Sequence, residues 1–399
     1  MSDNIFQETA LHEPTHHHGL DRPAITPLKK GVTSETDAAA GQWTLIWHKF
    51  AKDRLAIVAG IVILSLYLIG IFAEFLAPNL AQAARPQYSY APPQTISFFV
   101  EDENGERKFL PHVKGYSVTV DQASLRRSFV VDDSKVVPIG FFVRGPEYKM
   151  WGLFPSDLHL VGPLKANDPF YLLGADKLGR DLFSRVIYGT RVSMSIGLIG
   201  VCISLILGVV MGALSGYYGG WVDLLIQRII EIISAMPTIP LWLGLAAAIP
   251  VSLAPLKVYF LITLIVSLLG WTSLAREVRG RFFALRGDDF VTAARLDGSN
   301  ERRIIFRHIL PSLTSHILAV VTLALPTMIV AETALSFLGV GLKPPVVSWG
   351  VLLQDAQNIR TISTAPWLLI WPAGAVVIAV LSFNFLGDGL RDAADPYDS

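Results

Sequence analysis

The chain has 399 residues, of which 52% are hydrophobic and 17% are charged, and Lys plus Arg equal Asp plus Glu at 33 each. Soluble domains usually carry about a quarter charged residues, so this composition predicts a membrane protein. The zero formal net charge gives no sign of a nucleic-acid partner. A single cysteine, Cys202, lies in an apolar run, and no disulfide can form within the chain.

Residues 1–42 are polar and lack the apolar run of a signal peptide. They predict a disordered tail. The tract His16–His18 could bind a metal, but we interpret it as part of a solvated tail and predict no metal site.

Six apolar segments are close to the roughly 20 residues that cross a bilayer. They are 55–76, 192–214, 229–250, 258–275, 317–338 and 365–386. Pro237 in the third segment predicts a kinked helix that lines an interior pathway, although a purely structural kink explains it as well. Glu332 in the fifth segment is predicted either to face the translocation path or to be paired structurally.

The distribution of Lys and Arg predicts the orientation of the spans. Three basic residues precede the first span, and eight arginines lie between the fourth and fifth spans, whereas the connection between the last two spans has only Lys343 and Arg360. Cytoplasmic loops carry such an excess. Both termini and the arginine-rich loop are therefore predicted to be cytoplasmic.

The long segment 78–183 is predicted to lie outside. It contains the hairpin signal Asn104–Gly105 between short apolar stretches, and 129–131 and 140–143 are predicted as further strands. We expect a small, mostly β insert at about 92–165. Asp176, Arg180 and Asp181 follow it, and they either contact an external binding protein or form a local ion-pair network at the start of the second span.

The loop 276–311 has the pattern helix, glycine, helix, proline. Asp288 or Asp289 is expected to cap the first short helix, and Ser299 or Asn300 the second. Gly298 is placed to end the first helix in a left-handed conformation. The small alanines of the first short helix would let another surface approach. The residues predicted to grip another protein are Asp289, Ala293, Ala294, Gly298, Arg302, Arg303, Leu310 and Pro311. The excess of Lys and Arg that cytoplasmic loops carry would by itself account for any single arginine.

The spacing Ala293-Ala294-x3-Gly298-x11-Leu310-Pro311 resembles the EAA loop of binding-protein-dependent ABC importer permeases. Thr292 and His308 depart from the general pattern. Other stretches resemble the dipeptide/oligopeptide (DppC/OppC-like) subfamily, and the resemblance covers about 171–397 plus the first span. These other stretches are 173–193, 216–223, 335–350 and 385–392.

The resemblance implies an all-α polytopic fold of the type I ABC importer permease kind, with six transmembrane helices. It also implies a bacterial inner-membrane location and four kinds of partner: a second homologous permease, two ABC ATPase subunits, an external substrate-binding protein and the lipid bilayer. The expected domains are 1–42 tail, 43–77 first span, 78–183 external loop, 184–390 five-helix core and 391–399 tail.

No Gly-x4-Gly-Lys-Ser/Thr motif occurs, so ATP and Mg²⁺ are expected in partner subunits, with no cofactor or catalytic residue in this chain. Peptides are the expected substrate. The alternatives are a secondary transporter without ATPase partners, an importer of nickel chelates, opines or sugars, and a membrane-anchored scaffold that displays the insert.

Overall fold

The computed structural model describes residues 42–101, 107–120, 127–166, 168–250 and 252–394. Residues 1–41 of the predicted tail, including His16–His18, lie outside this range, as does the hairpin signal predicted at Asn104–Gly105. The compact body begins at Ile46, and helix α1, Gln42–Phe50, spans that boundary.

The first span is shorter than its apolar run. Helix α2, Arg54–Ile71, begins where Asp53 accepts hydrogen bonds from the backbone of Leu55 and Ala56, at 2.9 and 3.2 Å. It stops at Phe72, and a further turn, α3, covers Ala73–Leu76. The segment predicted as one span over 55–76 is thus two consecutive helices.

The predicted external insert is an antiparallel sheet, which has four strands in the described part of the chain. They are β1 Ile96–Glu101, β2 Arg107–Val120, β3 Arg127–Met150 and β4 Phe154–Pro163, in that spatial order. Segments 129–131 and 140–143 were expected as separate strands, but both belong to β3. This long strand serves two partners: it pairs with β2 up to Pro138 and with β4 from Ile139 onward.

The second span extends far beyond its apolar run. Helix α4 covers Leu182–Tyr218, and Asp181 caps it by accepting from the backbone of Phe183 and Ser184. At 1.5 Å per residue it is about 55 Å long, which exceeds the roughly 30 Å hydrocarbon core. Its ends must therefore project beyond the bilayer.

The third predicted span is not one helix. Helices α5, Gly220–Ala235, and α6, Thr238–Ala247, meet at an angle of 87°. The bend lies at Pro237, which has no N–H to donate and which disfavours helical backbone at the preceding residue. Met236 is accordingly extended, with ψ 136°. The predicted kink is confirmed, and it divides the segment 229–250 into two helices.

Helix α7, Pro255–Leu285, packs against α4 through a row of small residues on α4. The row repeats every fourth position: Gly200, Ser204, Gly208, Gly212 and Gly216. A Cβ at Gly212 would lie 2.6 Å from the Ala275 carbonyl oxygen, so the two backbones are nearly in contact. Small residues permit this close approach in membranes.

The rest of the chain supplies the loop helices and two more spans. They are α8 Asp289–Leu296, α9 Glu301–Arg303, α10 Leu310–Ser312, α11 Thr314–Phe337, α12 Trp349–Gln354, α13 Ile359–Thr364 and α14 Trp367–Ala394. Helix α14 continues past residue 390, where the C-terminal tail was expected to begin. It runs antiparallel to α2, since Gly389 near its end contacts Ala56 near the start of α2.

Among the described residues, five helices are long and apolar enough to cross a membrane, or six if the bent α5–α6 pair is one crossing. The largest buried cluster joins α4, α7, α11, α12 and α14 through residues such as Met194, Ile262, Ile329, Trp349 and Phe383. The fold is therefore the predicted polytopic helical bundle with a small β insert.

Candidate functional site

Helix α8 in the predicted coupling loop has one buried face and one open face. Val291 and Ala294 are buried against the rest of the chain. Phe290, Ala293 and Leu296 follow one another at three-residue spacing on the opposite side, and Leu296 is 84% exposed. An apolar ridge that its own chain leaves uncovered is a feature of contact surfaces.

The turn after α8 has the predicted geometry. Gly298 has φ +77°, its N–H donates to Arg295 O, and the N–H of Ser299 donates to Ala294 O, both at 3.0 Å. These are the paired hydrogen bonds that end a helix at a left-handed glycine. Asn300 then caps α9, because its Oδ1 accepts from the backbone of Arg303 at 2.9 Å.

The cap expected at the start of α8 is absent. Asp288 occupies the position before the helix, but in the described part of the chain its carboxylate accepts no hydrogen bond from α8. Asp289 is the first helical residue and is exposed. Its charge still favours the positive end of the helix dipole.

A wide helical turn covers Ile304–Ile309, where the N–H of Leu310 donates to Ile305 O, five residues back. In a regular α-helix the ring of Pro311 would clash with the carbonyl four residues earlier, and the widened turn moves that carbonyl away. Ile304, Ile305 and Ile309 face inward, whereas Phe306 is 60% exposed.

The inward faces of the loop join one apolar cluster with the ends of α4 and α7. Its members include Val291, Ala294, Ile304, Ile305 and Ile309 from the loop, together with Tyr217, Val278 and Phe282. Ala294 therefore packs inside its own chain and does not itself offer a surface to another protein. Ala293, on the open face, is free to do so.

Polar contacts also tie the loop to the Gly216–Gly220 turn. Tyr218 donates to Glu301 Oε2 at 2.9 Å, and the guanidinium of Arg295 lies 5.6 Å from the centre of the Tyr217 ring. Sequence analysis assigned this turn no role in the loop and used 216–223 only as part of the family resemblance. The paired tyrosines beside its glycines were the signal that it supports the loop.

A second support lies just above the loop. Arg279 of α7 binds Asp223 of α5 through two hydrogen bonds of 2.5 and 2.6 Å, and Ser215 of α4 also donates to Asp223. Sequence analysis assigned these residues no role. They join α4, α5 and α7 close to the Gly216–Gly220 turn.

We define the docking face as the open side of the loop. It comprises Phe290, Ala293 and Leu296 on α8, Phe306 beyond α9, and the exposed Arg302, Arg303 and Arg307. Of the other predicted coupling residues, Gly298 and Pro311 are exposed beside it, and Leu310 is half-buried. The face offers apolar ridges with a basic rim.

The two predicted pathway residues lie in different environments. Pro237 is exposed at the bend between α5 and α6. Glu332 is completely buried, and it accepts hydrogen bonds from Ser193, Ser336 and Ser348 at 3.2, 2.8 and 2.7 Å. These contacts are those of structural pairing, and they join α4, α11 and the start of α12.

Asp176, Arg180 and Asp181 are buried, so the suggested contact with a binding protein is not available to them. Arg180 Nε and Arg185 Nη1 both bind Asp176 Oδ2, and Asp355 lies 3.4 Å from Arg185 Nη1. The alternative prediction of a local ion-pair network at the start of α4 is the one that the structure shows. Burial raises the pKa of the capping Asp181 to about 6, although hydrogen bonds from Ser184 oppose the shift.

Two known protein families match parts of this chain. Residues 205–397 match the family described as binding-protein-dependent transport system inner membrane component, and residues 41–93 match the N-terminal TM domain of oligopeptide transport permease C. The chain is 30% identical to the dipeptide transport system permease protein DppC of Alkalihalophilus pseudofirmus, across 94% of this chain and 97% of that protein. The chain belongs to this permease family.

Two further relatives agree with this assignment. The permease is 30% identical to the glutathione transport system permease protein GsiD of Pectobacterium atrosepticum, over 89% of this chain and 91% of that protein. It is 37% identical to the oligopeptide transport system permease protein OppC of Haemophilus influenzae, over 61% and 76% respectively.

The permease is thus a multi-pass membrane subunit of a peptide-type ABC importer family, which implies ATPase and substrate-binding partners. This result confirms the resemblance seen in the sequence. It rejects the secondary-transporter and scaffold hypotheses.

Proposed function

We propose that the permease forms half of a peptide translocation pathway and takes up ATP energy through the docking face. A second homologous permease would complete the pathway, and two ATPase subunits with bound ATP and Mg²⁺ would supply the energy. The chain itself would be non-catalytic, with both termini and the docking face in the cytoplasm.

The observation that carries this proposal is the docking face. Its ridge of Phe290, Ala293 and Leu296 is uncovered, while the other side of the same short helix is anchored on α4 and α7. A ridge that is rigidly held from behind and open in front suits insertion into a cleft of a partner.

The anchoring also supports a route for the force. Val291, Ile305 and Ile309 belong to the same buried cluster as Val278 and Phe282 of α7, and α7 is in near backbone contact with α4. A displacement of the docking face would therefore carry α4 and α7 with it, because closely packed interiors transmit strain.

The bent α5–α6 segment fits the wall of a shared pathway. Residues 234–240 are exposed in this chain, and a cavity of about 380 Å³ lies between the far end of α6 and the segment 340–346. Irregular backbone at membrane depth is tolerated where it is covered by protein or lines a water-filled cavity.

Leu296→Asp tests the docking face. The side chain is exposed, so the change costs the fold little, but it places a charge on the apolar ridge of the docking face. We expect loss of ATPase co-purification and of ATP-driven uptake, with normal membrane insertion. Phe98→Asp, an exposed apolar position in the external sheet, is the matched control for ATPase binding. Retention of the ATPase by the Leu296 variant would contradict the proposal.

The substrate class is a separate question. The relatives are named for dipeptide, glutathione and oligopeptide transport, and on that basis we propose a peptide. The reconstituted transporter should show ATP hydrolysis stimulated by its binding protein with short peptides. Stimulation by a nickel chelate, an opine or a sugar instead would leave the importer assignment intact and overturn the peptide.

A further inference from the structure

The hairpin formed by β3 and β4 ends in an exposed aromatic tip. Trp151 is 50% exposed, Leu153 72% and Phe154 60%, and the turn is closed by a hydrogen bond from Leu153 N to Met150 O at 3.0 Å. A soluble loop tip normally carries small and polar residues. These three side chains are large and apolar, so water is an unfavourable surrounding for them.

The tip is attached to the outer end of the first span. The indole Nε1 of Trp151 donates to the carbonyl oxygen of Ile71, the last residue of α2, at 2.9 Å. Further from the tip, His159 of β4 contacts the carbonyl oxygen of Ala77 at 2.6 Å. The hairpin therefore runs beside the segment 71–77, and its tip points back along that segment toward the span.

Contacts with helix α4 show how far the hairpin tip reaches toward the membrane centre. The N–H of Asn79 donates to Ser184 Oγ at 3.0 Å, whereas Arg191 Nε donates to Gly70 O at 2.6 Å. Arg191 lies about two helical turns further along α4, which corresponds to roughly 10 Å. Residues 70–71, and the Trp151 side chain with them, are therefore that much closer to the membrane centre than Asn79.

Arg191 also marks the boundary of the hydrocarbon region. The charge-free run of α4 begins at the next residue, Val192, and Arg191 pairs with Glu74. An ion pair immediately before a long uncharged run is expected at the headgroup level. Tryptophan is enriched at this same level in membrane proteins, because its ring is apolar and its N–H can bind polar groups.

The exposed face of α2 continues the apolar surface inward. Leu64, Leu68 and Ile71 are exposed on α2, which is long and apolar enough to cross a membrane, and Phe72 is exposed directly after it. The tip adds to this apolar surface at Ile71, where the Trp151 indole donates its hydrogen bond. Lys149, exposed two residues before Trp151, is placed to reach anionic headgroups with its long side chain.

We propose that the β3–β4 tip, residues 150–154, inserts into the outer interface of the lipid bilayer and anchors the external sheet to the membrane surface. The sheet would then be held at a fixed height and orientation beside the first span. The partner is lipid at the boundary between headgroups and acyl chains.

Site-directed spin labelling tests this proposal. Cys202 is exposed and is first replaced by Ser. A nitroxide is then placed at Leu153→Cys or, as the control, at Phe109→Cys. Phe109 is 70% exposed in β2, where it pairs with Phe99 and not with β4. Both proteins are reconstituted in vesicles of phosphatidylethanolamine and phosphatidylglycerol, alone and assembled with the transporter subunits.

Oxygen partitions into the bilayer and a charged nickel chelate stays in water, so their collision rates with the nitroxide report depth. We expect the oxygen-to-nickel ratio at position 153 to be several-fold higher than at position 109 in both preparations. Equal ratios at the two positions would overturn the proposal. Shielding from both reagents in the assembled transporter would also overturn it, since the tip would then be covered by protein.

Discussion

Replacement of Gly298 by valine isolates the role of backbone geometry in coupling. Gly298 has φ +77°, and among the described residues no atom lies within 4 Å of a Cβ built there. The substitution therefore causes no clash, and its cost comes from the left-handed conformation alone. For a residue with a Cβ this cost is about 1–2 kcal/mol, and a β-branched residue lies at the upper end.

The expected effect follows from this strain. A cost of about 2 kcal/mol corresponds to a factor of about 30 in the population of the observed turn. The turn that holds the two hydrogen bonds at the end of α8 would lose this factor against other backbone conformations, and the ridge of Phe290 and Leu296 would be held less firmly in one orientation. Insertion in the membrane should be unchanged, because the turn lies outside every span.

The assay is ATP hydrolysis stimulated by binding protein and ligand in the reconstituted transporter. We expect severe loss for Gly298→Val, intermediate loss for Gly298→Ala, and near-normal activity for Gly298→Asn, since asparagine tolerates this conformation. Gly287→Val is the matched control, because Gly287 is also open to solvent but has no left-handed φ. Normal coupling by Gly298→Val, or equal failure of Gly287→Val, would refute the reasoning.

Further predictions concern the helix contacts, the buried polar groups and the insert. Gly212→Ala should lower stability by about 1–3 kcal/mol through overpacking, measured as thermal unfolding in detergent, whereas Gly280→Ala, with open space around it among the described residues, should not. Glu332→Leu should cost about 1–3 kcal/mol because buried hydroxyls lose their acceptor, and Glu332→Gln should cost less; equal stability of the two variants would contradict this. The pKa of Asp181 is raised to about 6 in the folded protein, from an unfolded value near 3.9. The contribution of Asp181 to stability should therefore fall as the pH rises from about 4 to about 6. Asp181→Asn should flatten that part of the profile of melting temperature against pH. Deletion of residues 92–165 should weaken docking of the binding protein more than subunit assembly, and unchanged docking affinity would count against a docking role.

Local signals in the sequence were sufficient for the turns of the coupling loop. Gly298 and Asn300 act through neighbours within a few residues, so their roles are visible in the local pattern. The bend at Pro237 is equally local. Each of these features depends on the chemistry of one residue and its immediate backbone.

Features that depend on distant contacts could not be predicted in the same way. Ala293 and Ala294 are adjacent alanines, and only packing within the cluster that includes Tyr217 and Phe282 decides that Ala294 is the buried one. The burial of Asp176 depends in turn on a network that includes Asp355, far along the chain. Sequence spacing alone carries no information on either contact.

The α4–α7 interface and the α5–α6 bend differ in how much movement they allow. At the α4–α7 interface a row of small residues brings the backbones so close that a Cβ at Gly212 would lie 2.6 Å from the Ala275 carbonyl oxygen, which leaves little room for a relative shift. At the α5–α6 bend, in contrast, Met236 and Pro237 are exposed. A hinge needs residues whose φ and ψ can change without repacking a core. We therefore expect a displacement of the docking face to move α4 and α7 together, and the change in shape to occur at residues 235–238.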